Sequence, residues 1–349
     1  MDINRPAKFL VGQNLKDGWI VTQNITKHYG ASANGFSESY LVEKGDKTVL
    51  MKALDFSVAL LSPEPTEALS LFSRCYNFEK ELLNFCNSEK MSRIVKIIDQ
   101  GNISALPGSI ISVPYFILEH ADGGDLRAKL DFSSYLDIVW LLRILHNVSA
   151  GLSQLHRKGI AHKNLKPEFI LQFSEDLLKL SELSNSDRKG IENPVHGNID
   201  DKDPSYMTPE RLYGVKEVEW INSQAADIYN LGNLMFFLFT QTNLNAMLNL
   251  RLDESHLWYN WNGTFEQVLP YLIEAHDEAI NQFMAYIEIE EIQEELEGVL
   301  RQLSNPDYTK RGHPKTLGST DPFSIDRYVN IFNRLAAKAE LKLAQKSKV

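Results

Sequence analysis

Cysteine is scarce in this chain, since Cys75 and Cys86 are the only two in 349 residues. Two cysteines are too few for a disulfide framework, so buried free thiols in a reducing compartment are the simplest interpretation. No apolar run approaches the length of a membrane span, and residues 1–6 lack the basic-then-apolar pattern of a signal peptide. We therefore expect a cytoplasmic protein with no contact to a membrane.

Excess positive charge is also missing. The chain has 36 Lys and Arg against 46 Asp and Glu, a formal net charge of -10. Neutralising nucleic-acid phosphates requires clustered basic residues, so the net charge argues against a nucleic-acid binder that relies on overall charge, and a local basic patch stays open. Repeats, low-complexity linkers and His/Cys clusters with metal-ligand spacing are absent from the sequence. With 43% hydrophobic and 23% charged residues, the composition is that of a globular protein long enough for two domains.

The most informative stretch covers residues 159–171, which read GIAHKNLKPEFIL. It resembles the catalytic loop of the protein kinases, whose pattern is HRDLKPENIL. Thirteen residues after Phe169, Glu182 stands where kinases place their second metal ligand. We therefore identify the chain as similar to the protein kinase superfamily, with serine/threonine kinases as the nearest pattern.

The resemblance assigns chemical roles to four positions of this region. Asn164 occupies the position of the proton-accepting Asp, and an amide has no useful basicity. Phe169 occupies the position of a metal-holding Asn, and a phenyl ring offers no oxygen to magnesium. Glu182 keeps a carboxylate that could hold a single metal ion, and a salt-bridged or exposed glutamate is the alternative. Lys166 is the residue that kinases place beside the transferred phosphate.

Other residues resemble the nucleotide-binding half of the family. Gly30 and Gly35 lie slightly off the register of the glycine-rich turn whose backbone approaches the ATP phosphates, and a plain structural turn is the alternative. Leu118 would line the back of the pocket. Glu119 and Ala121 would belong to the hinge that hydrogen-bonds the adenine ring.

Lys52 lies in an apolar segment, residues 48–54, which resembles the strand whose lysine reaches the ATP phosphates. A buried ammonium without a counter-ion is costly, so a carboxylate partner is expected. In the family a glutamate of the following helix provides it. Glu81 is our first choice for this partner and Glu79 the second, and a solvated surface position is the alternative for both.

Three further residues resemble the family's scaffold. Glu210 ends a segment, residues 182–210, that is similar to an activation segment, and the resemblance implies a buried ion pair with Arg311. Asp227 matches the residue that accepts hydrogen bonds from the backbone of the catalytic-like loop, residues 160–171. Such contacts belong to the architecture and carry no catalysis.

The expected fold class is α+β, a bilobal kinase-like fold. Residues 1–119 would form a small antiparallel sheet with one long helix, about residues 66–87. Residues 120–323 would form a larger helical lobe, and residues 324–349 a C-terminal helix. The basic end of that helix suits the helix dipole, and docking on a partner or on the domain itself is the less favoured alternative.

The substitutions at Asn164, Phe169 and Glu182 favour a catalytically impaired pseudokinase that regulates a protein partner. On this hypothesis ATP is a candidate ligand of the cleft, while magnesium is weakly held or absent. Two alternatives stay open. One is an active but atypical Ser/Thr kinase, or another nucleotide transferase, that uses Lys52, Lys166 and Glu182. The other is a scaffold that binds no nucleotide.

Overall fold

The computed structural model describes residues 5–26, 37–104, 112–132, 137–194, 203–215 and 220–346. The chain divides into two compact units. Unit 1 comprises Met1–Lys129, Glu168–Ser184 and Glu192–Asp201, and unit 2 comprises Leu130–Pro167, Asn185–Ile191 and Lys202–Val349. Within the described ranges, no helix combines the length and apolarity that crossing a membrane requires.

The regular elements follow one another in this order: β1 (Ile20–Asn24), β2 (Ser37–Lys44), β3 (Lys47–Leu54), α1 (Pro65–Ser88), β4 (Ile97–Ser104), β5 (Ser112–Leu118), α2 (Leu126–Phe132), α3 (Ile138–His156), β6 (Ile160–Ala161), β7 (Ile170–Ser174), β8 (Leu177–Leu180), β9 (Asp187–Arg188), α4 (Pro209–Leu212), α5 (Trp220–Thr240), α6 (Leu244–Asn249), α7 (Phe265–Met284), α8 (Glu290–Leu303) and α9 (Asp326–Lys346).

Unit 1 is built on a five-stranded sheet with the order β1-β2-β3-β5-β4, in which every neighbouring pair is antiparallel. The last six residues of β3 are buried, so this central strand is covered on both faces. The register sets Lys52 of β3 opposite Ser39 of β2 and Phe116 of β5. The hairpin β7–β8 belongs to the same unit. The sheet thus holds Lys52 at a fixed position in the interior.

Helix α1 is a long helix of unit 1. Pro65 occupies its first turn, where the missing N–H costs nothing. Phe78, Leu82 and Cys86 recur every four residues and are buried, which makes one side of the helix apolar. Glu79 is buried next to this stripe. The packing therefore carries a carboxylate into the interior of the unit.

Unit 2 is mainly helical, and α5 is apolar around most of its circumference, as expected for a central helix. Asp137 caps α3 by accepting a hydrogen bond from the Val139 amide, at 2.8 Å. Thr264 and Gln267 form a capping box at the start of α7. The α+β class predicted above, a small antiparallel sheet with one long helix followed by a helical part, is confirmed.

Helix α9 occupies most of the predicted C-terminal helix and packs along α3. The side chains that it buries are Tyr328, Phe332, Leu335, Ala336 and Ala339. Its basic residues also find partners within unit 2, because Lys342 pairs with Glu291 at 2.7 Å. Helix α9 therefore docks on unit 2 itself, which was the less favoured alternative.

One strand begins later than its sequence suggests. The apolar run at residues 93–98 reads as a strand, yet β4 begins at Ile97 and continues to Ser104. Residues 93–95 instead bond to β8, with the Val95 amide donating to the Leu180 carbonyl at 2.9 Å. Hydrophobicity alone does not distinguish pairing with β8 from pairing with β5.

His276 on α7 is a buried histidine of unit 2, hydrogen-bonded to Ser304 at 2.8 Å. The Ser304 hydroxyl donates to the Leu300 carbonyl, so the ring nitrogen Nε2 donates to Ser304. Burial lowers the pKa of His276 to about 4; the charge of Asp277 opposes this shift, while Arg301 adds to it. The folded protein therefore holds this ring neutral over a pH range in which the unfolded chain takes up a proton.

The stability that His276 contributes is complete above pH 6.5 and is lost as the pH falls towards 4, because the unfolded state binds the extra proton. We expect this loss to reach about 3 kcal/mol. Urea unfolding at pH 7.5, 6 and 4.5 gives the free energy of unfolding of the wild type and of His276→Gln. The wild type should lose more of it than the variant as the pH falls. Parallel pH profiles for the two would contradict the assignment.

Candidate functional site

The site in unit 1 is centred on Lys52, which is only 8% exposed. Its ammonium donates to both carboxylate oxygens of Glu79, at 2.9 and 3.1 Å. It also donates to both oxygens of Glu182, at 2.9 and 3.0 Å. Three N–H groups thus serve four acceptor oxygens, which fills the donor capacity of the lysine.

The partner on α1 is Glu79, and the first choice, Glu81, is wrong. Glu81 lies two residues further along the helix, about 200° around its axis, and its side chain is exposed. Glu79 shares its side of α1 with Leu83, four residues later, and both line the same pocket. The apolar stripe through Leu82 and Cys86 is the sequence signal that favours Glu79.

Glu182 follows β8 and adopts a left-handed backbone conformation, with φ at 62°. This conformation costs a residue other than glycine of order 1 kcal/mol. The Ser184 hydroxyl donates to the Glu182 carboxylate at 2.6 Å, in addition to the contacts from Lys52. The bend thus turns the carboxylate towards the lysine.

The three charges shift one another's pKa values. Burial alone would lower the pKa of Lys52, but the carboxylates of Glu182 and Glu79 outweigh it and raise that pKa above its usual range. Burial raises the pKa of Glu79 to about 7 against the opposing charge of Lys52, and the like charge of Glu182 adds to the rise. The cluster therefore carries more carboxylate than its one cation neutralises.

We call the cavity around this cluster the Lys52 pocket. Its volume is about 50 Å³. The residues that line it are Ser37, Ser39, Leu50, Lys52, Glu79, Leu83, Val95, Leu118, Glu168, Phe169, Leu171, Ser181 and Glu182. One end is apolar and the other is charged, an arrangement common to small-molecule sites.

Of the other residues predicted for the nucleotide-binding half, some line the Lys52 pocket and some do not. Leu118 lines the Lys52 pocket. The Glu119 carboxylate accepts hydrogen bonds from Lys179 at 2.5 Å and from the Lys96 amide at 2.8 Å. The buried Ala121 accepts a hydrogen bond from the Gly124 amide through its carbonyl. The predictions for Gly30 and Gly35 lie outside the described residues.

In unit 2 the Asp227 side chain holds the backbone of the catalytic-like loop. Its carboxylate accepts hydrogen bonds from the amides of His162 and Lys163, both at 2.7 Å, and from the His156 ring at 2.8 Å. Burial would raise the pKa of Asp227, but the hydrogen bond and charge of His156 lower it on balance. The predicted role of Asp227 as an acceptor for the loop backbone is confirmed.

Lys163 adds a second buried ion pair to this loop. Its ammonium contacts the Asp187 carboxylate at 2.7 Å, and the Ser223 hydroxyl donates to the same carboxylate at 2.6 Å. The sequence gives no sign of this pair, because Asp187 lies in a polar segment without periodicity. The predicted ion pair of Glu210 with Arg311 is present as well.

The two predicted catalytic residues of the loop differ in their surroundings. Asn164 is 7% exposed, and within the described part of the chain its amide nitrogen Nδ2 has no hydrogen-bond partner. Lys166 lies over the ring of Tyr206, 5.0 Å from the centroid. Asn164 therefore offers a hydrogen-bond donor, where the family's pattern has an acceptor.

Comparison with known proteins identifies the family of the chain. The model of the protein kinase domain matches residues 57–319. The chain belongs to the protein kinase domain family. CBL-interacting protein kinase 26 of Oryza sativa subsp. japonica is 32% identical over 145 residues, which cover 38% of this chain and 27% of the relative. Serine/threonine-protein kinase CHK1 of Saccharomyces cerevisiae is 29% identical over 164 residues, which cover 46% of this chain and 29% of the relative.

Calcium-dependent protein kinase 6 of Plasmodium berghei is 28% identical over 176 residues, covering 47% of this chain and 11% of the relative. In each of these comparisons the matched region is less than a third of the relative's length. The chain therefore shares a domain family with these proteins, and their activities and partners are not assigned to it.

Kinase domains in general use magnesium, and the residues at the charged end of the Lys52 pocket do not fit it. Magnesium requires oxygen ligands in near-octahedral geometry. Both oxygens of Glu182 are occupied by Lys52, and Phe169 presents a buried ring. The Phe169 carbonyl accepts hydrogen bonds from the Ser181 amide and hydroxyl. Among the described residues, no group of three or more His, Cys, Asp or Glu side chains suits a metal ion.

Proposed function

We propose that this kinase-domain protein is a pseudokinase, which is impaired in phosphate transfer and regulates a protein partner by binding it. The observation that carries the proposal is the pairing of Lys52 with Glu182. In this arrangement the cation that would meet ATP phosphates and the carboxylate that would meet a metal ion neutralise each other. An active kinase uses the lysine, paired with its helix glutamate, to hold the phosphates and uses the other carboxylate to hold the metal ion.

The catalytic-like loop supports the same proposal. A general base must accept the proton of the substrate hydroxyl, and the amide of Asn164 has no basicity with which to do so. Its buried nitrogen is a donor without an acceptor in the described chain, so the side chain is suited to holding an acceptor atom in place. The Lys166 side-chain nitrogen lies over the Tyr206 ring.

The scaffold contacts support a binding role. Asp227 with the loop backbone, and Glu210 with Arg311, are buried and fully hydrogen-bonded. These contacts hold parts of unit 2 together, and none of them takes part in chemistry. A folded domain without its reactive groups can still present surfaces to a protein partner, as a pseudokinase does on this proposal.

An active atypical kinase is the second candidate, and the intact pair of Lys52 and Glu79 favours it. On that hypothesis Glu182 releases Lys52 and serves as the single metal ligand, with Lys166 beside the transferred phosphate. A nucleotide transferase would use the same three groups. The narrow Lys52 pocket instead favours the third candidate, a scaffold without nucleotide.

We expect Asn164→Asp to leave phosphate transfer at background, because the new base would still lack a metal-bound phosphate to act upon. Transfer from [γ-32P]ATP to generic protein substrates and to the chain itself measures this. Asn330→Asp, on an exposed position of α9, is the matched control for the change of charge. A gain of roughly 10²–10⁴-fold in Asn164→Asp, the usual contribution of a general base, would contradict the proposal and favour the atypical kinase.

A further inference from the structure

A second cavity of unit 1 lies along α1, and its volume of about 700 Å³ far exceeds that of the Lys52 pocket. One wall is α1 itself, and the other is the short segment 192–194. Asn193 fixes this segment, because it is buried and its side-chain amide donates to the Ser184 carbonyl at 3.2 Å. We call this cavity the α1 groove. Its volume lies in the range of cavities that receive a ligand.

The lining positions on α1 form one stripe along the helix. At intervals of three and four residues, the stripe consists of Glu67, Leu71, Arg74, Phe78 and Glu81. This spacing places the five side chains on one face. From the first to the last of them the stripe is roughly 21 Å long. The groove therefore offers a straight face with apolar side chains between charged ends, which is the kind of surface that an amphipathic helix contacts.

The rim of the α1 groove carries unmatched negative charge. Its exposed carboxylates are those of Glu64, Glu67, Glu81 and Glu192. Among the described lining residues only Arg74 is basic, so four negative charges and one positive charge leave a net charge of -3. None of the four carboxylates forms an ion pair with a described part of the chain. The ammonium of Lys80 contacts the Asn77 side chain instead, at 2.9 Å.

Unit 2 shows how this chain pairs a helix face of the same kind. The side of α8 that carries exposed carboxylates is met by basic residues of α9: Lys342 contacts Glu291 at 2.7 Å, and Arg334 pairs with Glu295. Helix α9 also buries an apolar side against its own unit. The α1 groove has the same combination of carboxylates and apolar side chains. Within the described part of unit 1, no basic side chain of a second helix pairs with these carboxylates.

Building on the proposed function, we infer that the α1 groove binds a basic amphipathic helix of the protein partner. Leu71 and Phe78 contact the apolar side of that helix, and the four carboxylates of the rim pair with the Lys and Arg residues that flank it. Charge complementarity of this kind selects cationic partners and speeds their association. The bound helix would contact the same α1 that carries Glu79, the partner of Lys52.

Calorimetric titration of the full chain with a synthetic helix tests the inference. The probe is a peptide of about 18 residues, five turns long, with Leu on one side and Lys on the flanks. We expect it to bind, and we expect a peptide with Glu in place of every Lys to bind at least tenfold more weakly. Equal binding of the two peptides, or no binding of the Lys peptide, would overturn the inference.

Reversing the charge of the rim should reverse the preference. In Glu67→Lys combined with Glu81→Lys, the Lys peptide should bind at least tenfold more weakly than to the wild type, and the Glu peptide at least tenfold more tightly. A gain for the Glu peptide also shows that the variant is folded. Glu274→Lys combined with Glu288→Lys, at exposed positions of unit 2, changes the net charge equally and should leave both affinities within threefold. Similar effects in the two double variants would contradict a site on α1.

Two further measurements separate the groove from unspecific attraction and from self-association. A peptide of the same composition, with Leu distributed around the helix, should bind at least tenfold more weakly, since it has no apolar side for Leu71 and Phe78. Equal binding would reduce the effect to net charge and overturn the inference. Sedimentation of the chain alone should show no dimer that Glu67→Lys with Glu81→Lys dissociates. Such a dimer would make a second copy of the chain the occupant and also overturn it.

The inference and the proposed function fail separately. If the Lys peptide does not bind and no phosphate is transferred, the groove is wrong and the pseudokinase proposal stands. If the wild type transfers phosphate, the proposed function fails whatever the peptide affinities.

Discussion

Replacing Lys52 by Met is expected to lower the free energy of unfolding by about 3–5 kcal/mol at pH 8, the usual effect of breaking a buried ion pair. Met fills a similar volume, but it leaves the carboxylates of Glu79 and Glu182 buried without a cation. At pH 5 the loss should be smaller, because both carboxylates can then take up protons. Their folded pKa values would be raised, so stability is lost as the pH rises through those values.

Urea unfolding at pH 5 and pH 8 measures this difference. Lys47→Met, at an exposed position of the same strand, should change the free energy of unfolding by less than about 0.5 kcal/mol. Adding Glu79→Gln and Glu182→Gln to Lys52→Met should recover most of the loss, since no buried charge then remains. An equal loss at both pH values would show that Lys52 acts through its packing alone.

Arg311→Met is expected to lower the free energy of unfolding by about 3–5 kcal/mol as well. Arg311 is fully buried, and its two terminal nitrogens donate to the two carboxylate oxygens of Glu210, at 2.8 and 2.5 Å. It also donates to the Asn305 carbonyl at 2.7 Å and lies 4.7 Å from the centre of the Tyr229 ring. Met would leave the buried Glu210 carboxylate unpaired.

The same unfolding experiment distinguishes this pair from surface pairs. Arg301→Met removes exposed contacts with Asp277 and Glu297 and should cost at most about 1 kcal/mol. The loss of unfolding free energy in Arg311→Lys should lie between the losses in Arg311→Met and Arg301→Met, because an ammonium cannot reproduce the two parallel hydrogen bonds of a guanidinium. A loss in Arg311→Met no larger than in Arg301→Met would contradict the assigned role of the buried pair.

The fold and its scaffold contacts could be predicted from the sequence because they depend on strong local patterns. The apolar stripe of α1 and the buried strand around Lys52 are visible as periodicity. The contacts of Asp227, and of Glu210 with Arg311, follow from matching a family pattern position by position. Each of these residues has one geometric role in the fold, so its identity predicts its partner.

The side-chain pairing in the site was harder to predict. Choosing Glu79 over Glu81 requires the phase of α1 to be known to within one residue, or about 100°. The contact of Lys52 with Glu182 joins residues 130 positions apart, and it depends on the left-handed backbone at Glu182. A buried ion pair such as Lys163 with Asp187 has no local signature at all. Sequence patterns report burial and periodicity, whereas these pairings are decided by tertiary packing.

The measurement that tests the central claim most directly is the effect of magnesium on ATP affinity. The account holds that the charged end of the Lys52 pocket is an internal ion cluster, which lacks the free oxygens that a magnesium ion needs. Calorimetry with 5 mM magnesium and with EDTA should therefore give ATP affinities within threefold of each other. An ATP affinity that magnesium raises tenfold or more, and that Glu182→Gln reduces to the EDTA value, would contradict it.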